Sequence, residues 1–143
     1  MKDLLYKALS YYGLEEITTA TEHNPQILAF FSEIGHRWAQ TDETAWCSAF
    51  INYIAKTTVY EYSGALDARS WLQVGRRTPF PFQGCVTVFW RESPASWKGH
   101  VGLFIRRTES LIYVLGGNQD NRVCIKPYPD HQLLDYRILR RQL

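Results

Sequence analysis

The stretch Thr78-Pro79-Phe80-Pro81-Phe82 divides the sequence into two parts with different hydrophobic periods. Before it, apolar residues recur at the three- and four-residue spacing of amphipathic helices. After it, the period changes to the two-residue alternation of strands. Because helices come first and a strand meander follows, the sequence predicts an α+β protein. Its N-terminal helices are expected to pack on one face of a C-terminal antiparallel sheet of about five strands.

Four helices are predicted on the N-terminal side, at residues 4–12, 25–34, 44–57 and 65–74. Asn24 suits the cap of the second helix and Pro25 suits its first helical position. The third helix is expected to start near Thr44 and to place Cys47 and Phe50 on one side. Strands are predicted at residues 86–90, 101–105, 111–115, 122–126 and 134–139.

Length and composition indicate one globular domain spanning residues 1–143. Hydrophobic residues make up 45% of the chain and aromatic residues 15%, enough to form a packed core. Sixteen basic and fourteen acidic residues leave a formal charge of +2. The basic residues occur in scattered pairs rather than in a run, which argues against a nucleic acid partner.

The three cysteines, Cys47, Cys85 and Cys124, form no C-x-x-C pair, so neither a disulfide framework nor a structural zinc site is expected. His23, His36 and His131 lack metal-ligand spacing, and no metal or other cofactor is predicted. The N-terminus lacks the apolar core of a signal peptide, and no 18-residue apolar run exists. The sequence thus predicts a protein made in the cytoplasm without a transmembrane segment.

Cys47 is predicted to be a nucleophile because it lies at the start of an apolar helix. If Thr44 caps that helix, Cys47 occupies the third position, where backbone N–H groups and the helix dipole favour negative charge. A cysteine in this setting typically has a pKa lowered from about 8.5 into the range of roughly 3.5 to 7.5. The alternative is that Cys47 is simply a small apolar residue of the core.

His100 is predicted to be the general base, at the mouth of a strand. A hairpin that pairs Ile105 with Leu111 places His100 opposite Gly116, which leaves room for the imidazole. Asn118 then lies diagonally beside His100 on the same face and is predicted to orient the ring. Gln119 points to the other face in this register unless a bulge intervenes. The alternative is that His100 merely starts a strand.

The aromatic residues supply candidates for substrate binding. Trp97, beside Gly99 and His100, is predicted to form a wall for the substrate. Trp46 and Gln119 are further candidate substrate-binding residues.

Several segments, taken in order, resemble the papain-like amidohydrolases of bacterial cell-wall metabolism, the CHAP (cysteine, histidine-dependent amidohydrolase/peptidase) and NlpC-type families. They are Glu16-Ile17, Asn24-Pro25-Gln26-Ile27, Asp42-Glu43-Thr44-Ala45-Trp46-Cys47-Ser48-Ala49-Phe50, Ala68-Arg69-Ser70-Trp71-Leu72, Gly99-His100-Val101-Gly102 and Leu115-Gly116-Gly117-Asn118-Gln119. The resemblance implies a papain-like fold, with Cys47 as nucleophile, His100 as general base and acid, and Asn118 orienting His100. It also implies hydrolysis of amide bonds in peptidoglycan stem peptides without a cofactor.

The predicted reaction is therefore cleavage of an amide in or next to the wall stem peptide through a thioacyl intermediate. Two alternatives remain open: a wall-binding module that has lost activity, and an acyltransferase on the same scaffold. Because no signal peptide is predicted, the protein is expected to reach the wall with the help of a holin or other delivery machinery. The sequence leaves open which bond is cut.

Overall fold

The computed structural model describes residues 1–17, 19, 22–39 and 45–142. The helices in this part are α1 (Lys2–Leu9), α2 (Pro25–Ser32), α3 (Cys47–Thr57) and two 3₁₀ helices, Ala68–Gln73 and Asp130–Gln132. The strands are β1 (Arg76–Arg77), β2 (Val86–Trp90), β3 (Gly99–Arg107), β4 (Leu111–Gln119), β5 (Arg122–Pro129) and β6 (Leu133–Ile138). The α+β class is confirmed, and every helix here is too short to span a bilayer.

The strands form one antiparallel sheet in the order β1-β6-β2-β3-β4-β5. The sheet therefore has six strands within the described residues, rather than the predicted five or so. The additional strand, β1, contains only Arg76 and Arg77, which pair with β6 and are both exposed. A two-residue polar strand carries no alternating pattern, so the sequence could not reveal it.

The second helix begins as predicted. The side chain of Asn24 accepts a hydrogen bond from the N–H of Gln26 at 2.9 Å, and Pro25 is the first helical residue. The predicted fourth helix is shorter and tighter than expected, since only residues 68–73 are helical and they form a 3₁₀ helix.

The helices cover one face of the sheet, as predicted. The main core joins α1, α2 and α3 to inward-facing strand residues such as Val101 and Leu103. Side chains alternate along a strand, so Phe104 lies on the opposite face. There it belongs to a smaller apolar cluster made of strand residues, with Phe89 and Tyr136 among its members. His100 lies four residues before Phe104 in β3. Because this spacing is even, His100 is on the same second face.

The β3–β4 hairpin differs in register from the prediction. Leu103 pairs with Leu115, two residues beyond the Tyr113 that the predicted register would give. The strands continue further into the turn than expected, so that the loop is only residues 108–110, and the pairing shifts between Phe104 and Arg106. A bulge of this kind adds a residue to one strand and changes which residues face each other beyond it.

A buried polar network fixes the cysteine end of α3. The amide nitrogen of Asn52 donates to the carbonyls of Ser48 and Ala65, and its oxygen accepts from the N–H of Gly64 at 2.8 Å. The hydroxyl of Ser48 donates to the carbonyl of Ala65 and accepts from Trp71 Nε1. Since buried polar groups are costly to leave unpaired, this network holds the first turn of α3 against the segment that leads into the 3₁₀ helix.

Candidate active site

Cys47 is the first residue of α3. Trp46 occupies the N-cap position and makes no side-chain capping bond, whereas the sequence predicts a start near Thr44. Thr44 and the neighbouring Asp42 and Glu43 lie outside the described residues. Cys47 is thus at the first helical position instead of the third, where the backbone N–H groups have no partner within the helix.

The thiol of Cys47 is buried, with only 6% of the residue exposed. Burial raises the pKa of this thiol, and the N–H groups of Val101, Ser48 and Cys47, together with the charge of Arg91, offset only part of the rise. The expected lowering of the Cys47 pKa is therefore wrong, because desolvation outweighs the helix start. The contribution of Val101 places the sulfur beside the peptide that follows His100.

Cys47 lines a cleft of about 410 Å³. The other lining residues come from distant parts of the chain: Ala45, Leu66, Asp67, Ala68, Arg91, Glu92, Trp97, Lys98, Gly99 and Asn118. Trp97 is 71% exposed and forms part of this wall, at the place where the sequence predicted a substrate wall. The cleft is therefore lined by both polar and apolar residues, among them Trp97 with its exposed indole and Cys47 with its buried thiol.

His100 is held by Gln119. Its Nε2 lies 2.8 Å from Gln119 Oε1, and both residues are buried. The amide nitrogen of Gln119 donates to the carbonyl of Cys124 at 2.7 Å, so the amide oxygen must be the atom that faces the imidazole. An amide oxygen only accepts, and His100 Nε2 therefore carries the proton. The lone pair is left on Nδ1, which has no hydrogen-bond partner among the described residues.

Asn118 is not the partner of His100, so the predicted orienting residue has to be corrected. The β4–β5 pairing breaks between Gly116 and Gln119, and Asn118 has a left-handed backbone with φ 58°. This irregularity is a bulge, the condition under which the sequence prediction allowed Gln119 to face His100. It brings Gln119 instead of Asn118 to His100. Asn118 lines the cleft beside Cys47.

Two glycines make the bulge and the His100–Gln119 bond possible. A Cβ at Gly116 would lie 2.6 Å from Gln119 Oε1 and 3.4 Å from His100 Nε2. Gly116 therefore leaves room for the imidazole, as predicted, and for the amide as well. A Cβ at Gly117 would lie 2.6 Å from the Trp46 ring. The ring of Trp46 thus packs directly beneath the bulge.

This packing also corrects the roles of Trp46 and Gln119. Trp46 is fully buried, and its indole nitrogen donates to Glu16 Oε1 at 2.7 Å. It cannot touch a substrate in this position and instead supports Gly117. Gln119 is 1% exposed, and both ends of its amide are bonded within the protein. Its expected role in substrate binding is therefore replaced by contact with His100.

The His100 ring stacks on Tyr128, with centroids 4.8 Å apart, and Tyr128 stacks in turn on Phe89. Burial lowers the pKa of His100 to about 4; the bond to Gln119 opposes the shift, and the charges of Arg91 and Lys126 add to it. The imidazole is consequently neutral at neutral pH. The sequence does not reveal Tyr128, because β4 lies between its strand and that of His100 and the contact depends on tertiary packing.

Cys47 and His100 open into adjoining cavities. His100 lines a second cavity of about 250 Å³ together with Gln119, Tyr128, Asp120 and Lys126. Arg91 and Asn118 line both cavities and mark the place where they meet. No hydrogen bond joins the sulfur of Cys47 to the imidazole in the described structure. The thiol and the base thus line different cavities that share two lining residues, and both groups are neutral at neutral pH.

No three His, Cys, Asp or Glu side chains within the described ranges come together as metal ligands. The three described cysteines are all free thiols, and Cys124 Sγ donates to the carbonyl of Gln119 at 3.4 Å. No protein-family model matches the chain, and no curated protein is similar to it in sequence.

The depressed pKa of His100 predicts a loss of stability in acid. In the unfolded chain the imidazole has its ordinary pKa of about 6.5, so between pH 6.5 and about 4 the unfolded state binds the additional proton. Stability contributed by the neutral ring is present above pH 6.5 and falls by about 3 kcal/mol as the pH drops to 4. Urea unfolding at pH 7 and pH 4 measures this loss.

His100→Gln is the matched control for that experiment, because glutamine does not titrate. The variant should lose less stability than the wild type over the same pH interval, by about 3 kcal/mol. An equal loss in the two proteins would show that His100 is not responsible.

Proposed function

We propose that the protein is a papain-like cysteine amidohydrolase of the CHAP and NlpC type that cleaves an amide bond in or next to the peptidoglycan stem peptide. One observation carries this proposal. The last four of the six segments that carry the family resemblance each contribute a residue to the same cleft. These residues are Cys47, Ala68, Gly99 and Asn118. A cleft that gathers a thiol, several charged groups and an exposed aromatic ring from distant segments is the usual setting of a functional site, and this supports the proposal.

The proposed chemistry starts from a neutral thiol and a neutral imidazole. Because Gln119 holds the proton on His100 Nε2, the lone pair on Nδ1 can accept the proton of Cys47. No hydrogen bond joins the described Cys47 thiol to the His100 imidazole, and contacts between nucleophile and base often tighten only when substrate binds. Substrate that fills the junction of the two cavities would exclude water from both groups.

The reaction then follows from these positions. The sulfur attacks the amide carbonyl as its proton passes to His100 Nδ1, and a tetrahedral oxyanion forms. The unpaired N–H groups at the start of α3 stabilise that oxyanion, a contribution of roughly 3 to 4 kcal/mol in comparable sites. His100 returns the proton to the leaving amine, which departs and leaves a thioacyl enzyme. Water, deprotonated by Nδ1, attacks the thioacyl carbon and releases the carboxylic acid and the thiol.

Incubation of the wild-type protein with purified sacculi tests the proposal. Mass spectrometry of the released muropeptides should show fragments that differ from the intact wall by the addition of water at one amide bond. The same digest identifies the bond. If no fragments are released above a protein-free control, the proposal fails.

A wall-binding module is the second candidate, and one observation favours it. The exposed Trp97 could hold a sugar or peptide without chemistry. Co-sedimentation with sacculi but no fragment release would support this candidate. Fragments that carry an added amine, such as hydroxylamine, instead of water would indicate the acyltransferase.

A further inference from the structure

Arg91 stands where the two cavities of the site meet. It directly follows β2, and its side chain lines both the cleft that contains Cys47 and the cavity that contains His100. Its charge acts on both residues, since it lowers the pKa of the Cys47 thiol and that of the His100 imidazole. A group bound by Arg91 would therefore lie close to the reacting atoms.

Arg91 is also the only basic residue of either cavity that has no partner in the described part of the chain. Lys98 Nζ pairs with Glu92 Oε1 at 2.7 Å, and Lys126 Nζ pairs with Asp120 Oδ1 at 2.8 Å. Among residues 1–17, 19, 22–39 and 45–142, none forms a hydrogen bond or ion pair with the guanidinium of Arg91. Its five N–H donors are therefore available to a ligand, without a protein acceptor among the described residues.

The backbone that carries Arg91 is held in place by Arg69. The guanidinium of Arg69 donates to the carbonyls of Ser93, Pro94 and Lys98 at 2.8 to 2.9 Å. The N–H of Arg91 in turn donates to the carbonyl of Lys98 at 3.2 Å. The loop of residues 91–98 is therefore tied to the 3₁₀ helix, and the base of the Arg91 side chain is positioned before any substrate arrives.

We propose that Arg91 binds a carboxylate of the substrate next to the scissile amide and so selects substrates that carry a free carboxylate there. A guanidinium matches a carboxylate with two parallel hydrogen bonds, which a carboxamide cannot reproduce. In the larger cleft the charges of Asp67 and Glu92 balance those of Arg91 and Lys98. In the smaller cavity Arg91 and Lys126 outnumber Asp120, so an anion is favoured on the side of Arg91 that faces this cavity. This inference rests on the proposed hydrolase function.

The experiment compares sacculi with free carboxylates and sacculi whose carboxylates have been converted to carboxamides with a carbodiimide and ammonium chloride. The wild type should release fragments from the untreated sacculi about 10- to 100-fold faster, the range expected for charge-assisted hydrogen bonds. Arg91→Gln should reduce this ratio to about threefold or less, and Arg91→Lys should give an intermediate ratio because it keeps the charge without the planar fork.

Arg76→Gln is the control, because Arg76 is exposed on the edge strand β1 and should leave the ratio unchanged. If Arg91→Gln and Arg91→Lys keep the wild-type ratio, or if the wild type cleaves both substrates equally fast, the inference is overturned while the hydrolase function stands. If the wild type releases nothing from either substrate, the proposed function fails and the inference fails with it.

Discussion

Replacing Cys47 with alanine is expected to reduce fragment release from sacculi at least about 10³-fold, because the proposed thioacyl intermediate forms on its sulfur. The substitution removes the only thiol that lines the described cleft. It also lies at a helix end that is already held by Asn52 and Ser48, so the fold should persist. Initial rates of release at neutral pH, together with a thermal melt, measure the two effects.

Cys85→Ala provides the matched control. Cys85 is fully buried, but it belongs to the apolar cluster on the face of the sheet away from the helices. Loss of its sulfur should lower stability modestly and leave the rate within about twofold, since the cavity it creates is small and Cys85 lines neither cavity of the site. If Cys47→Ala releases fragments from sacculi as fast as the wild type, covalent catalysis by Cys47 is contradicted.

The raised pKa of the Cys47 thiol affects the rate at which alkylating reagents are expected to label it. A low thiol pKa would give fast alkylation in mild acid, but burial raises the pKa of Cys47. Cys47 is therefore expected to alkylate slowly in the free protein at that pH. Slow labelling is no argument against catalysis here, because the base deprotonates the thiol during attack.

The sequence predicted the local features well because each has a local physical cause. Asn24 and Pro25 mark the start of α2 by capping chemistry, and the alternation at residues 86–90 matches β2 at both ends. The order of helices and strands followed from the change of period at the Pro-rich stretch. These signals depend on neighbours in the chain and need no knowledge of tertiary contacts.

The site was harder to predict because it depends on pairing between distant segments. The register of β3 and β4 changes with the length of one loop and one bulge, and neither leaves a clear signal in a single sequence. The second bulge has a partial signal, since the glycine pair before Asn118 and the tolerance of asparagine for a left-handed backbone favour an irregularity there. What the sequence could not show is that Trp46 packs against Gly117.

Replacing Gln119 with leucine is expected to lower the rate of fragment release about 10²-fold or more, because the His100 proton loses its acceptor. The imidazole can then place its proton on either nitrogen, and only one of the two tautomers has a free lone pair on Nδ1. Nitrogen-15 NMR of His100 reports the tautomer directly. The wild type should show the proton on Nε2, and Gln119→Leu should show a mixture.

Two further variants separate orientation from simple damage to the fold. Gln119→Glu keeps an acceptor for Nε2 and should restore the tautomer, although it loses the donor to the carbonyl of Cys124. Asn118→Gly tests the residue that the sequence favoured, and glycine accepts the left-handed backbone there. It should leave the His100 tautomer unchanged, because Asn118 does not bond to the ring. If Asn118→Gly scrambled the tautomer and Gln119→Leu did not, Asn118 would be the orienting residue after all.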